Sequence, residues 1–432
     1  MSSLQDLIAR NRCEERVGSY AVCSAHPAVI DAAIQEAVDD GWFLHVESTS
    51  SQVNQQGGYT GQTPQQFANA VHAVAQRAGL SPERVLLGGD HLGPYPWRRE
   101  PASEAMEKAC ELVRACVLAG YRKIHLDASM ACGDDSSGPA EDTIAHRAAL
   151  LCKSAETANT ELPDTLPPLI YVIGSEVPAP GGESDSGGRP AVTPAENVHR
   201  TLEMFQSAFV QQGLSVAWER VIALVVQPGV DFGEKEISDY DRIQAQSLSA
   251  ALPSNRCLAY EAHSTDYQTP GALAQLVEDH FAILKVGPWL TFAYREAIFA
   301  LSSIEREILG RRKEYQLSQV REALEAAMLQ NPVHWRSYYQ GDKDQQSLSR
   351  AFSYSDRCRY YWHESSVQNE VTRLFENLSA TEVPLPLISQ HLPSQYDAIR
   401  AGKLQNNPEM LVQKHIRNVL RQYADACGVC RT

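Results

Sequence analysis

No stretch of the sequence approaches the 18 or so consecutive apolar residues that a membrane span requires. The opening residues, MSSLQDLIARNRCEERVG, lack the basic-then-apolar pattern of a secretion signal, so a cytoplasmic protein is expected. Positive charge is scarce: 38 Lys plus Arg stand against 53 Asp plus Glu, a net charge of −15. That argues against a nucleic-acid partner, which would want a basic surface. It leaves room for an anionic ligand, because one local Lys or Arg can hold a phosphate. There is no low-complexity tract, and no Gly-rich nucleotide fingerprint follows the first apolar run. Paired cysteines are almost absent. Cys23, Cys110, Cys116, Cys152 and Cys257 sit in apolar surroundings, where a free thiol behaves as a small hydrophobe. The one close pair, Cys427 and Cys430, lacks the further ligands a zinc site needs, and the tail that carries it is expected to be unstructured.

What the sequence does contain is a repeat of strand, polar turn and helix. Eight short runs are rich in Val, Ile, Leu and Tyr: Gly18–Ala25, Trp42–Ser48, Val85–His91, Lys123–Ser129, Leu169–Val177, Val221–Pro228, Cys257–Ser264 and Phe281–Gly287. Several are nearly continuous apolar runs, as in VIALVV, which suits parallel strands buried on both faces. Helical segments such as Pro27–Asp40, Pro64–Ala78, Glu104–Ala119 and Pro194–Gln212 lie between them, with Pro near their starts and Gly just past their ends. Eight alternations predict one α/β (β/α)₈ barrel over residues 1–300, with strand eight closing on strand one. A doubly wound open sheet is the runner-up. Two loops on the strands' carboxyl side are long. Gln52–Thr63 carries Tyr59 and is expected to act as a lid; the distal part of Ala179–Pro190 is expected to be mobile. Residues 301–432 read as a helical extension packed on the barrel or on a partner. Helical Leu301–Gln330 and Asn406–Ala426 flank an irregular, Tyr- and Trp-rich stretch from Pro332 to Trp362, the kind of composition partners cover.

In such a barrel the polar residues at strand carboxyl ends face the active site. Here they are unusually acidic and carry histidines: His45 and Glu47 on strand two, Asp90 and His91 on three, His125, Asp127 and Ser129 on four, Glu176 on five, Gln227 on six, Glu261 to Asp266 on seven and Lys285 on eight. Burying that many carboxylates without partners is costly. With Lys285 the one clear cation at these ends, a divalent metal is the economical explanation. His91, His263 and Glu176 are the leading ligands and Gln227 a weaker fourth. Imidazoles suit zinc, oxygen donors suit manganese or magnesium, and the mixed set does not choose. Asp90 is the first candidate for proton transfer, with Glu176 as a second catalytic carboxylate. His45 and His125 point the same way as their acidic neighbours and stay open between site and barrel filling. Glu47, Asn54, Asp127, Ser129, Ser264, Thr265 and Lys285 are candidate substrate contacts. Barrel phosphate sites often form after strands seven and eight; Ser264, Thr265, Gly287 and Lys285 permit one, and would serve a neutral sugar almost as well.

Several of these segments resemble a known family: CSAHP (Cys23–Pro27), GGDHLGP (Gly88–Pro94), KIHLDASM (Lys123–Met130), YVIGSEVPAPGGE (Tyr171–Glu183), VVQPGVDF (Val225–Phe232), YEAHSTDYQT (Tyr260–Thr269), RYYW (Arg359–Trp362) and ISQHLP (Ile388–Pro393). Together they closely resemble the Z-type subunit of tagatose-1,6-bisphosphate aldolase over nearly the whole chain. The resemblance implies a barrel related to the class II, metal-dependent aldolases, with Zn²⁺ or Mn²⁺ as the expected cofactor and a role in galactitol or N-acetylgalactosamine breakdown through tagatose 6-phosphate. It implies an oligomeric partnership in which a separate class II catalytic subunit needs this one for full activity and stability. An older family name is tagatose-6-phosphate kinase, but the sequence has no Gly-x-x-x-x-Gly-Lys loop and no protein-kinase motif set. Some relatives look like ketose epimerases acting near carbon four. Asp90-His91 and His263 match the aldolase pattern of a catalytic Asp before a metal His on strand three and a further metal His on strand seven. Gln227 stands where an aldolase would place a ligand His, and Glu176 is the candidate to compensate. Two readings follow: a subunit that supports a catalytic aldolase, and a metal-dependent ketose or ketose-phosphate epimerase in its own right.

Overall fold

Each of the eight apolar runs forms a strand in the computed structural model, which describes residues 3–135, 138–174, 189–254 and 257–429. They are β1 (Ser19–Cys23), β2 (Leu44–Thr49), β3 (Val85–Leu92), β4 (Lys123–Leu126), β5 (Ile170–Ile173), β6 (Val221–Val226), β7 (Ala259–Ala262) and β8 (Ile283–Val286). All neighbours pair in parallel and in numerical order, and β8 closes on β1 through Ser19 opposite Ile283 and Val22 opposite Val286. The closed barrel displaces the open-sheet alternative.

The helices are α1 (Leu4–Asn11), α2 (Pro27–Asp39), α3 (Pro64–Arg77), α4 (Ala102–Leu118), α5 (Glu141–Asn159), α6 (Ala195–Gln211), the short α7 (Ser215–Trp218), α8 (Arg242–Ser249), α9 (Pro270–Glu278) and α10 (Pro288–Leu309), then α11 (Val320–Gln330), α12 (Lys343–Phe352), α13 (Ser365–Ser379), α14 (Leu385–His391), α15 (Pro393–Arg400) and α16 (Pro408–Ala426). Proline pre-set for the first turn starts α2, α3, α9 and α10, and Thr63 adds a capping box to α3. Outward strand residues such as Val46, Leu87, Ile124 and Leu284 meet these helices in the main apolar core. A second, smaller core fills the barrel's amino-terminal end. There Leu4 and Ile8 of α1 join Ala21, Ile170, Ala223, Ala259 and Ile283, so α1 plugs the end opposite the cavity.

Beyond residue 300 the described residues form helices and turns, with no strand. The boundary expected there falls inside α10, which runs unbroken from the end of β8 to Leu309. The extension packs on the barrel, and its last helix does more: α16 lies against α2, α9, α10 and β1. It thus fills the ring position beside β8 and β1 that the eighth barrel helix normally takes. Ion pairs from Arg417 to Glu36 (2.7 Å) and from Arg421 to Glu36 (3.3 Å) fasten it to α2. The tail expected to be unstructured is ordered as far as residue 429. Cys427 and Val429 are buried, and the Cys427 carbonyl accepts from the Gly18 amide at 3.1 Å; Cys430 lies outside the described residues.

Candidate active site

Strand three sets up the site. Asp90 and His91 are adjacent, so a regular strand would turn one of them away from the axis. Instead the register against β4 slips between Gly89, opposite Ile124, and Leu92, opposite Leu126, and His91 adopts φ +46°. This bulge with its left-handed residue aims both side chains inward, a strained arrangement of the kind that gathers at functional sites. Gly88 makes room below it: a Cβ there would stand 2.8 Å from the Glu47 side chain.

The inward groups form two sets. The first is a closed ion cluster, fully withdrawn from solvent. Lys123 Nζ lies 2.6 Å from both Glu47 Oε1 and Glu261 Oε2, Lys285 Nζ pairs with the other oxygen of Glu47, and His45 Nε2 reaches Glu47 at 2.6 Å. Burial would raise the Glu47 and Glu261 carboxyls, but Lys123 and Lys285 outweigh it and hold both well below the usual range. The carboxylate surplus seen in the sequence is therefore balanced partly by lysines. Lys123, which begins β4 and shares its inward face with His125, was the missing partner.

The second set is Asp90, His91, His125 and His263, whose ligand atoms all lie within 4.8 Å of one another; Asp90, His91 and His263 line the cavity and His125 is buried beside them. Each imidazole has one nitrogen committed to an acceptor behind it. His91 Nδ1 donates to Asp127 Oδ2 (2.7 Å), His263 Nε2 to Glu261 Oε1 (2.9 Å) and His125 Nε2 to the Gly174 carbonyl (3.0 Å). His125 Nδ1 accepts from the His91 amide (3.2 Å) and lies 3.2 Å from Asp90 Oδ1, whereas the second nitrogens of His91 and His263 turn inward, so that His91 Nε2 faces His263 Nδ1 at 3.1 Å. Two lone pairs at that separation need a proton or a cation between them. Carboxylates behind imidazoles are also how proteins orient metal-binding histidines. The donor set thus fits a divalent metal on its own chemistry. Burial pulls His263 down to about 4, so it stays neutral, whereas at His91 the charges of Asp90 and Asp127 overcome burial and raise it. Burial also works against the Asp90 anion, yet Lys285 at 3.0 Å and the imidazoles keep its carboxyl well below the ordinary range. At Lys285 burial is outweighed in turn by Asp90 and the nearby acids, which hold the ammonium protonated.

Above this set lies a cavity of about 1110 Å³. Its floor and walls include Asp90, His91, His263, Ser264, Lys285 and Asn54; its roof is the extension, through His334, Arg357, Arg359, Tyr360 and Trp362. Tyr59, on the loop expected to close over the site, meets Tyr360 edge-on at 4.7 Å. The aromatic stretch read as a partner surface is turned inward: Trp335, Tyr339, Tyr361 and Trp362 are buried. The roof was not foreseen, since the chain reaches it some 60 residues after the last strand, in an irregular segment with no strand-end logic.

Other candidates sit elsewhere. Glu47 belongs to the closed cluster, away from the cavity wall. Asp127 and Ser129 stand behind His91, with Ser129 Oγ donating to Asp127 at 2.6 Å. Thr265 is buried, its hydroxyl donating to the Lys285 carbonyl at 2.5 Å. Gln227 folds back on its own turn, its side-chain oxygen accepting from the amides of Gly229 (2.8 Å) and Val230 (3.0 Å), so it joins no ligand group. Asn54 lines the cavity but spends its oxygen on the Gln56 and Gly58 amides and its nitrogen on the Ser50 carbonyl. Glu176 and the distal loop after β5 lie outside the described residues. Of the groups that permit a phosphate after β7 and β8, the Gly287 amide is engaged: Asp266 Oδ1 accepts from it (3.0 Å) and from the Trp289 amide (2.8 Å), while Ser264 and Lys285 line the cavity.

Fold and site together define a (β/α)₈ protein with a histidine-lined, metal-competent pocket roofed by a C-terminal extension. Residues 4–428 match the family model described as D-tagatose-1,6-bisphosphate aldolase subunit GatZ/KbaZ-like, and the chain belongs to that family. A solved structure from Sinorhizobium meliloti 1021, named a probable tagatose 6 phosphate kinase, is 41% identical with a TM-score of 0.86, over 95% of this chain and 100% of that one. More distant are the YdjI aldolase from Escherichia coli K12 (9% identity, TM-score 0.42, 88% of this chain and 99% of that one) and a fructose-bisphosphate aldolase from Campylobacter jejuni (14%, 0.44, 89% and 96%). No described helix is long and apolar enough to cross a membrane.

Proposed function

We propose that the chain works in the cytoplasm as a subunit of a class II D-tagatose-1,6-bisphosphate aldolase, supporting a separate catalytic subunit in galactitol and N-acetylgalactosamine breakdown. The family match across residues 4–428 carries this reading. The extension supplies surface for such a partner, with Leu329, Val333, Leu348 and Phe352 as exposed large apolar side chains. Family membership favours this role over a free-standing epimerase.

The pocket keeps the tools to hold a ketose. His91, His125, His263 and Asp90 would hold a zinc or manganese ion, which when bound supplies Lewis-acid polarisation of a carbonyl. Asp90, ionised and fixed by Lys285, is placed to accept a proton from a ligand at its free oxygen. Lys285, permanently charged, stabilises negative charge that develops beside it. Glu176, two residues past the Gly174 carbonyl that anchors His125, is our candidate for the second proton carrier.

Co-expression with a class II tagatose-bisphosphate aldolase is the test. The catalytic subunit should co-purify with this chain and gain both thermal midpoint and specific activity. Unchanged values with no co-purification would end the reading, and turnover of ketoses by this chain alone would favour the epimerase.

A further inference from the structure

The cavity is cationic inside an acidic protein. Arg98, Arg99, Arg357, Arg359 and Lys285 line it, against three carboxylates, Asp90, Glu100 and Asp266. Each of those carboxylates already has partners: Lys285 for Asp90 (3.0 Å), Lys108 for Glu100 (2.6 Å) and two backbone amides for Asp266. The guanidinium of Arg359 is held by neutral groups. Its Nη1 donates to the carbonyls of Ser355 and Asp356 and its Nη2 to the Tyr360 hydroxyl (2.9 Å), which fixes its position, while the nearby Asp356 and Asp266 carboxylates offset part of its charge without forming an ion pair. Tyr360 is itself clamped, stacked on His334 at 4.4 Å and met edge-on by Tyr59. Among the described residues Arg98, Arg99 and Arg359 make no ion pair with a carboxylate. A cleft lined by one sign of charge concentrates ligands of the other, and a fixed guanidinium suits a phosphate or carboxylate.

We propose that a phosphate ester on the ligand is read by Arg359 in the extension, with Arg98 and Arg99 at the mouth, and not by the loops after β7 and β8, whose amides Asp266 occupies. The charge-reading half of the site then belongs to the roof and the sugar-reading half to the barrel. This rests on the ketose reading above.

Calorimetric titration of the full chain with D-tagatose 6-phosphate, D-tagatose, the corresponding hexuronate and inorganic phosphate tests it. The 6-phosphate should bind at least about tenfold more tightly than the neutral sugar, and Arg359→Gln should remove that advantage while leaving neutral-sugar affinity unchanged. Because Arg359 also ties two carbonyls, the exposed pair Arg98→Gln/Arg99→Gln gives a second variant with little risk to folding, expected to weaken 6-phosphate binding severalfold. Equal binding of phosphorylated and neutral sugar, or an advantage that survives both variants, overturns the proposal. Tighter binding of the hexuronate than of the 6-phosphate overturns the phosphate assignment. If neither sugar binds but inorganic phosphate does so through Arg359, the ketose reading fails and the anion subsite stands.

Discussion

Two charged sets share the barrel axis and are built to opposite rules. In the closed set, Glu47, Lys123, Glu261 and Lys285 pair with one another out of reach of solvent. In the open set, His91 and His263 are fixed from behind while their other nitrogens face one another beneath the cavity, and His125, held at both ring nitrogens, stands beside them. Charge is balanced within the first, whereas the second gathers donors of the kind that could hold a metal ion. Glu261 and Lys285 connect the two, since Glu261 orients His263 and Lys285 holds Asp90.

Removing one partner from the closed set should have the largest effect on stability. Lys123→Met leaves Glu47 and Glu261 buried beside one less cation, and urea denaturation should show a loss of about 3–5 kcal/mol. A loss below about 1 kcal/mol would mean that this cluster is not what holds the barrel interior together. In the open set the balance reverses. His263→Ala should lower stability by only about 1 kcal/mol, yet elemental analysis should show metal content falling from near stoichiometric to background. Wild-type protein that stays metal-free after growth in supplemented medium would contradict the metal reading outright. A milder change is Asp127→Asn, which keeps every ligand but weakens the group behind His91. Metal affinity should drop by about 10–100-fold with the fold intact, and competition against a chelator would reveal an unchanged affinity if Asp127 has no orienting role.

Acid should separate the two sets by the pH at which each responds. The Glu47 and Glu261 carboxyls are held far below their usual value of 4.5, so their contribution is complete above that pH and is lost progressively below it. Buried imidazoles respond earlier. His26, whose two ring nitrogens have no hydrogen-bond partner, and His263 are both lowered by burial to about 4. The unfolded chain binds their protons near pH 6.5 and the folded one does not, so stability is complete above that value and is lost as pH falls toward 4. His91 is raised and works the other way, gaining stability on acidification and partly offsetting the loss. Melting curves at pH 7, 5.5 and 4.5 should show a shallow decline that His26→Phe makes shallower still; an identical decline in the variant would show that His26 does not titrate as its burial implies.

The sequence revealed the barrel because buried parallel strands are apolar throughout and proline and glycine mark the helices between them. That Asp90, His91, His263 and Lys285 meet at one cavity was readable because a strand end in this fold is a location. A strand end is not a direction, however. Thr265 and Gln227 occupy the right level, but local hydrogen bonds turn their polar atoms into the protein's own backbone. Lys123 was overlooked because it begins its strand and reaches its partners only through a long side chain. Arg359 and Tyr360 were legible as part of a family motif but not as a roof, because nothing local says where an irregular segment lands. The slip in β3 that brings Asp90 and His91 together follows from pairing with β4, which neither strand shows alone.

The helix that completes the outer ring is synthesised long after the strand and helix it covers. Ser19 of β1 leaves the ribosome about 390 residues before Pro408 begins α16, and α2, the neighbouring face, is nearly as early. Until α16 is made, the face of α2 that it covers lacks the ion pairs from Arg417 to Glu36 and from Arg421 to Asp40. Contacts of such long sequence separation form slowly, so protein truncated before residue 408 should lose the cooperative melting transition of the full chain, because α2, α9, α10 and β1 lose the helix packed on them.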